Sequence, residues 1–338
     1  MGHRTDRRVF LRESRPRART TSTAGPSRGP SPEAAGGPGM RNRFLFGLAV
    51  LALSAPFLLA AAGDRGRVEE GLRFESPLLG RAVGYAVYLP PGYEEGSRRY
   101  PVVYLLHGYT DSEFAWVQFG EVDRLAGEAI ARGEIPAMII VMPDAGVTWY
   151  INDAAGKVPY EDMFVREFIP HIDATYRTRA DREFRGVAGL SMGGWGALLY
   201  AMRHPDVFSA CAAFSAAVWT DEDFMAFDPK RYDELFGDLF GRGLTGRARL
   251  TDHFRSHNPL DLAGTLPVES LKKARFYLDC GDDDFLFRGN AALHSLLLER
   301  KVPNEMRVRD GGHSWPYWRS GLVDGLKFIG GGFHREAD

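Results

Sequence analysis

Cysteine is nearly absent from this chain of 338 residues: there are two, too few for the disulfide frameworks that hold small secreted domains together. A strong charge of one sign is also missing. The formal net charge is −2, and it conceals a split. Residues 1–62 carry ten Lys/Arg against three Asp/Glu, a surplus of +7, so residues 63–338 carry −9. A mildly acidic body without a basic patch argues against nucleic acid as a partner. There is no internal repeat. With 44% hydrophobic and 25% charged residues, the composition fits a globular protein and excludes a wholly disordered, collagenous or polytopic membrane chain.

What is present begins with an address. Residues 1–39 are rich in Arg, Pro, Ser, Thr and Gly and hold almost no periodic apolar positions, so they cannot bury enough surface to offset chain entropy. Asp6–Arg12 resembles a twin-arginine export motif, but more than thirty residues separate it from the next apolar stretch. Met40 is therefore the expected start. Arg41 and Arg43 precede the uncharged run Phe44–Ala62, which ends in Ala60-Ala61-Ala62. That is the layout of a secretory signal peptide over 40–62. A retained membrane anchor is the alternative; Pro56 and the alanines favour cleavage. The expectation is an exported body, secreted or periplasmic, with no stable membrane span after cleavage, folding over 63–338 as one large α/β domain or two small ones.

That body alternates strand and helix patterns. Val102–Leu106 and Met138–Met142 are short continuous apolar runs, as in strands buried on both faces of a parallel sheet. Ala82–Leu89, Phe184–Leu190, Phe208–Ser215, Arg275–Cys280 and Glu305–Arg309 read as further strands. Val122–Ala131, Tyr160–Tyr176 (kinked at Pro170), Met192–Arg203, Phe287–Arg300 and Trp315–Ile329 have helical periodicity. The pattern predicts a mostly parallel sheet with helices on both faces. Residues 218–267 break the alternation and read as a lid-like helical insertion. Cys211 and Cys280 fall on or beside buried strands and read as free core thiols.

The chemistry concentrates at Gly189-Leu190-Ser191-Met192-Gly193. In a G-x-S-x-G segment the serine sits on a sharp strand-to-helix turn, and the glycines admit the close approach of strand and helix. A serine hydroxyl needs an adjacent base, and Asp and His should follow in that order. Of nine histidines, His313 alone follows a late strand on a Gly-rich turn, which makes it the base. The acid lies among Asp282, Asp283 and Asp284; Asp284 is favoured, then Asp283, then Asp282. The run alone does not make a metal site, because no further ligand pattern accompanies it; no metal or cofactor is expected. The oxyanion would take the N–H groups of Met192 and of Tyr109, with Gly108 the alternative for the second. His107 reads as a structural hydrogen-bonder and His204 as a helix cap; His253 and His257 are candidates for lining a pocket. Trp149, Tyr150, Trp219 and Trp315 follow strands on the catalytic side and are candidate substrate contacts.

With these residues in hand the chain resembles the esterase D-like branch of the α/β-hydrolase fold over about residues 70–330. The resemblance rests on Tyr100–Gly108, Phe168–Tyr176, Ala188–Gly194 and Gly311-Gly312-His313-Ser314-Trp315 with Trp318. It implies an acid three residues after Gly281, hence Asp284. The branch includes S-formylglutathione hydrolases, short-chain acyl esterases, mycolyltransferases, and the feruloyl and acetyl-xylan esterases of the first carbohydrate esterase family. It implies a serine esterase acting on a small-molecule or polysaccharide-linked ester. An acyltransferase and a cytosol-type S-formylglutathione hydrolase activity are the alternatives, with a catalytically silent binding module behind both.

Overall fold

The computed structural model describes residues 65–333; the segments 1–39 and 40–62, with the expected signal peptide, lie outside the described residues. Eight strands form one sheet: β1 (Arg67–Ser76), β2 (Arg81–Leu89), β3 (Val102–Leu106), β4 (Ile139–Pro143), β5 (Arg185–Leu190), β6 (Ala210–Phe214), β7 (Arg275–Gly281) and β8 (Asn304–Arg309), in the order β1-β2-β4-β3-β5-β6-β7-β8. The β1/β2 and β2/β4 pairs are antiparallel, and every pair from β4/β3 to β7/β8 is parallel. The apolar runs lie at the centre, where β3, β4, β5 and β6 are buried at every position. Helices cover both faces and bury a hydrophobic cluster on each, as parallel sheets require.

Two elements differ from the sequence pattern. β1 has no clean alternation because its register shifts between Glu69 and Leu72, which breaks the two-residue period. The helix expected over Tyr160–Tyr176 is built in three parts: Tyr160–Met163, a π-turn over Phe164–Phe168, and Ile169–Thr175. Pro170, which has no N–H to donate to the preceding turn, follows closely on the π-turn, and that local rearrangement accommodates the missing rung.

Residues 218–267 fold as short helices, Asp221–Met225, Pro229–Phe240, Asp252–Arg255 and Pro259–Thr265, with a 3₁₀ turn at Gly246–Arg249. Their apolar side is aromatic. Phe224 stacks on Phe254 with ring centres 3.9 Å apart, and Phe236 packs on Trp149 and Trp219 at 4.9 and 5.3 Å. Arg249 is 1% exposed and closes the cluster. Its guanidinium donates to the carbonyls of Leu244, Phe224, Met225 and Phe227 at 2.7–3.4 Å and lies over the Tyr232 ring. Cys211 and Cys280 are free and buried. No helix among the described residues is long and apolar enough to cross a membrane.

Candidate active site

β5 ends at Leu190 and the helix Met192–Arg203 begins two residues later. Ser191 makes that turn with φ +53° and ψ −115°, a left-handed conformation that a non-glycine residue holds only where its surroundings over-determine it. Here they do. The Ser191 N–H donates to Phe214 O at 2.9 Å, and its carbonyl accepts from Trp195 and Ala217. The two glycines of the pentapeptide pack on one another: a Cβ on Gly189 would fall 2.4 Å from Gly193 O, and one on Gly193 2.4 Å from Leu106 O. The motif thus reflects a place where three backbone segments meet.

His313 arrives from the far edge of the parallel sheet. Its Nε2 lies 3.0 Å from Ser191 Oγ, and its Nδ1 lies 2.9 and 3.2 Å from the two carboxylate oxygens of Asp284. The loops bearing Asp284 and His313 pack main chain against main chain. A Cβ on Gly281 would fall 2.0 Å from Gly311 O; Asp283 N donates to Gly311 O, and Gly311 N donates to the Asp282 carboxylate. The three neighbouring aspartates divide sharply: Asp284 is buried, while Asp282 and Asp283 are exposed. With Asp310, the exposed pair brings carboxylate oxygens within 4.8 Å of one another, which a solvated acidic turn does without an ion.

Burial alone would raise the Asp284 pKa. Hydrogen bonds from His313, from the Leu286 N–H at 2.9 Å and from the Ser215 hydroxyl outweigh it and hold the carboxyl below its ordinary value. Ser215, itself at φ +43°, accepts from Trp318 Nε1 at 3.0 Å, and the Trp318 ring stands edge-on to His313 at 4.8 Å. Sequence reasoning missed Ser215; a lone serine at the end of a buried strand carries no motif.

On the other side of Ser191 the loop after β3 is pinned at three successive carbonyls. Trp116 Nε1 donates to Leu106 O, Tyr150 Oη to His107 O, and His107 Nδ1 to Gly108 O. His107 Nε2 accepts from Ala145 N–H at 2.9 Å, so the proton sits on Nδ1. His107 is therefore a brace for this loop. Tyr109 follows, and the Met192 N–H is the first of its helix, a position without an intrahelical acceptor.

A cavity of about 500 Å³ opens over Ser191 and His313, and Gly108, Tyr109, Trp149, Trp219, Leu235 and Trp315 are among its lining residues. Tyr150 does not line it, which corrects the expectation of a substrate contact. Its side chain is 0% exposed, its hydroxyl is committed to His107 O, and its carbonyl accepts from Tyr200. Trp149 and Tyr150 are consecutive left-handed residues, and the turn they make sends one ring to the cavity and the other to the core. His253 and His257 also lie away from the cavity. They pack on each other; His253 bonds Asn152 O, and His257 Nε2 lies 3.5 Å from the buried Glu161 carboxylate. Glu161 is held too by Arg203 at 2.8 Å and His204 at 2.7 Å.

A mostly parallel sheet, a strained serine between β5 and its helix, and His and Asp on later strand-end loops define an α/β-hydrolase fold. The chain belongs to the Putative esterase family, whose model matches residues 76–329. An esterase of Mycobacterium tuberculosis is 31% identical over 261 residues, covering 71% of this chain and 54% of that protein; the present chain thus spans about half the length of that relative. An endo-1,4-β-xylanase/feruloyl esterase of Xylanibacter ruminicola is 32% identical over 180 residues, 51% of this chain and 24% of that protein. A solved ferulic acid esterase superposes with a TM-score of 0.67 at 33% identity, covering 79% of this chain and 98% of the other.

Proposed function

We propose that the chain is an exported serine carboxylesterase that cleaves acyl groups from sugar hydroxyls. The observation that carries the reading is the unbroken hydrogen-bonded line Ser191–His313–Asp284 at the floor of an aromatic cavity. His313 Nε2 takes the Ser191 proton as Oγ attacks the ester carbonyl, and Asp284 holds the Nδ1–H tautomer and stabilises the imidazolium. The N–H groups of Tyr109 and Met192 receive the oxyanion. His313 then returns the proton to the leaving alcohol oxygen, and water repeats the cycle on the acyl-enzyme. The rings of Trp149, Trp219 and Trp315 supply a surface for an aromatic acyl group or a sugar face. The similarity to the ferulic acid esterase supports the aromatic acyl side; the charged-then-apolar pattern over 40–62 supports export.

The test is a fluorophosphonate probe with peptide mapping, alongside hydrolysis of p-nitrophenyl acetate, methyl ferulate and acetylated xylan. Labelling at Ser191 with turnover of all three fits the reading. Labelling elsewhere, or none, overturns the mechanism; turnover of p-nitrophenyl acetate alone overturns the carbohydrate assignment. Mass spectrometry of protein from a secreting host should find a mature start near Gly63.

A further inference from the structure

Beside the cavity at Ser191 lies a second recess of about 280 Å³. Trp219, Phe227 and Phe285 line both, so the recess adjoins the cavity across those rings. Phe285 directly follows Asp284, and its ring centre is 4.7 Å from that of His313. At 72% exposure it is the most exposed large apolar side chain among the described residues. The polar wall of the recess is an ion pair: Arg288 meets Asp223 at 2.9 Å, and the other Asp223 oxygen accepts from Thr220 at 2.9 Å. Arg288 is 63% exposed, and its second terminal nitrogen lies 3.6 Å from Glu222, so a hydroxyl in the recess can reach the solvated edge of the guanidinium.

The position of His313 decides which part of a substrate lies here. A base that returns its proton to the leaving oxygen must have the leaving alcohol on its own side. Phe285 is on that side, so the recess beyond it runs along the alcohol and away from the acyl group. A sugar ring presents an apolar C–H face and an array of hydroxyls. An exposed flat ring beside a charged Arg288–Asp223 pair meets both needs at once. We propose that this recess is a subsite for the second sugar unit of the leaving chain, so that esters on an oligosaccharide are preferred over the same ester on a single sugar. The proposal rests on the sugar-ester reading above.

The experiment compares kcat/KM for methyl ferulate and for feruloyl esters of one, two and three sugar units, using wild-type protein and two variants with melting temperatures recorded. Ala226→Trp adds bulk to an exposed position on the recess; Arg288→Ala removes its donor. The wild type should gain about fivefold from one sugar unit to two, chiefly through KM, and both variants should lose that gain. A flat response from one unit to two in the wild type, or a gain that survives in both folded variants, overturns the subsite while the sugar-ester reading stands. Sugar esters cleaved no better than methyl ferulate at every length overturn the sugar-ester reading and the subsite with it.

Discussion

Across the cavity from each other are two regions that hold their side chains in place by different means. Around Ser191 the main chain does the work. Glycines 189 and 193 touch, the Asp284 and His313 loops bond backbone to backbone, and the loop after β3 is tied at three carbonyls in a row. In residues 218–267 the work falls to side chains. Rings stack on rings, and one buried guanidinium gathers the carbonyls that short helices leave over. The first arrangement ties down the loops that carry the reacting atoms. The second fixes a shape, and shape can be repacked. The strand-end loops are thus suited to one chemistry, and the helical stretch to many substrates.

The comparison is sharpened most by Ser191→Ala, which should lower kcat by about 10⁴–10⁶ with the melting temperature unchanged, as read by stopped assays and a thermal scan. Next is Asp284→Asn, with an expected loss of about 10⁴. Asp282→Asn and Asp283→Asn should stay within about twofold of wild type, because both side chains are exposed and an amide oxygen at 282 still accepts from Gly311 N–H. If all three variants lost activity equally, the loop would be acting through its fold and the main-chain account would fail.

On the side-chain region, Arg249→Met leaves carbonyls of the cluster without a donor. It should destabilise the protein by about 3 kcal/mol, measured by urea unfolding. It should also raise KM for aryl esters more than for p-nitrophenyl acetate, since Phe227 both lines the cavity and bonds Arg249. An equal fall in kcat on every ester would break the division of labour. The smallest effect concerns Glu161. Burial would raise its pKa, but His204, His257 and Arg203 together depress it well below the ordinary carboxylate value. A depressed folded pKa stabilises above the unfolded value of about 4.3 and is lost as pH falls through the folded one. The melting temperature of Glu161→Gln should therefore trail wild type by about 3 °C near neutral pH, with the gap closing below about pH 4.

The same contrast explains what the sequence could reveal. β3 and β4 were legible because strands covered on both faces need unbroken apolar runs, and the serine turn because glycine is compulsory where backbones touch. Asp284 was singled out from its neighbours by the family resemblance, which implies an acid three residues after the strand-end glycine, here Gly281; the run of three aspartates by itself left the choice open. Tyr150 misled because its placement depends on the left-handed turn it shares with Trp149, which no periodicity reports. Ser215 was invisible for a related reason: its value lies in meeting Trp318, distant in sequence and adjacent only after folding. β1 lost its signature to a bulge, and the aromatic cluster around Arg249 has no period at all.

Gly281 and Gly311 hold a further consequence. Because Gly281 and Gly311 bring the two strand-end loops together at main-chain atoms, neither has slack to follow a change in the other. Lengthening the loop after β7 by one residue would push the loop after β8 off its seat. Anyone transplanting specificity from a related protein would have to move 281–284 and 310–313 together, as a single interchangeable cassette.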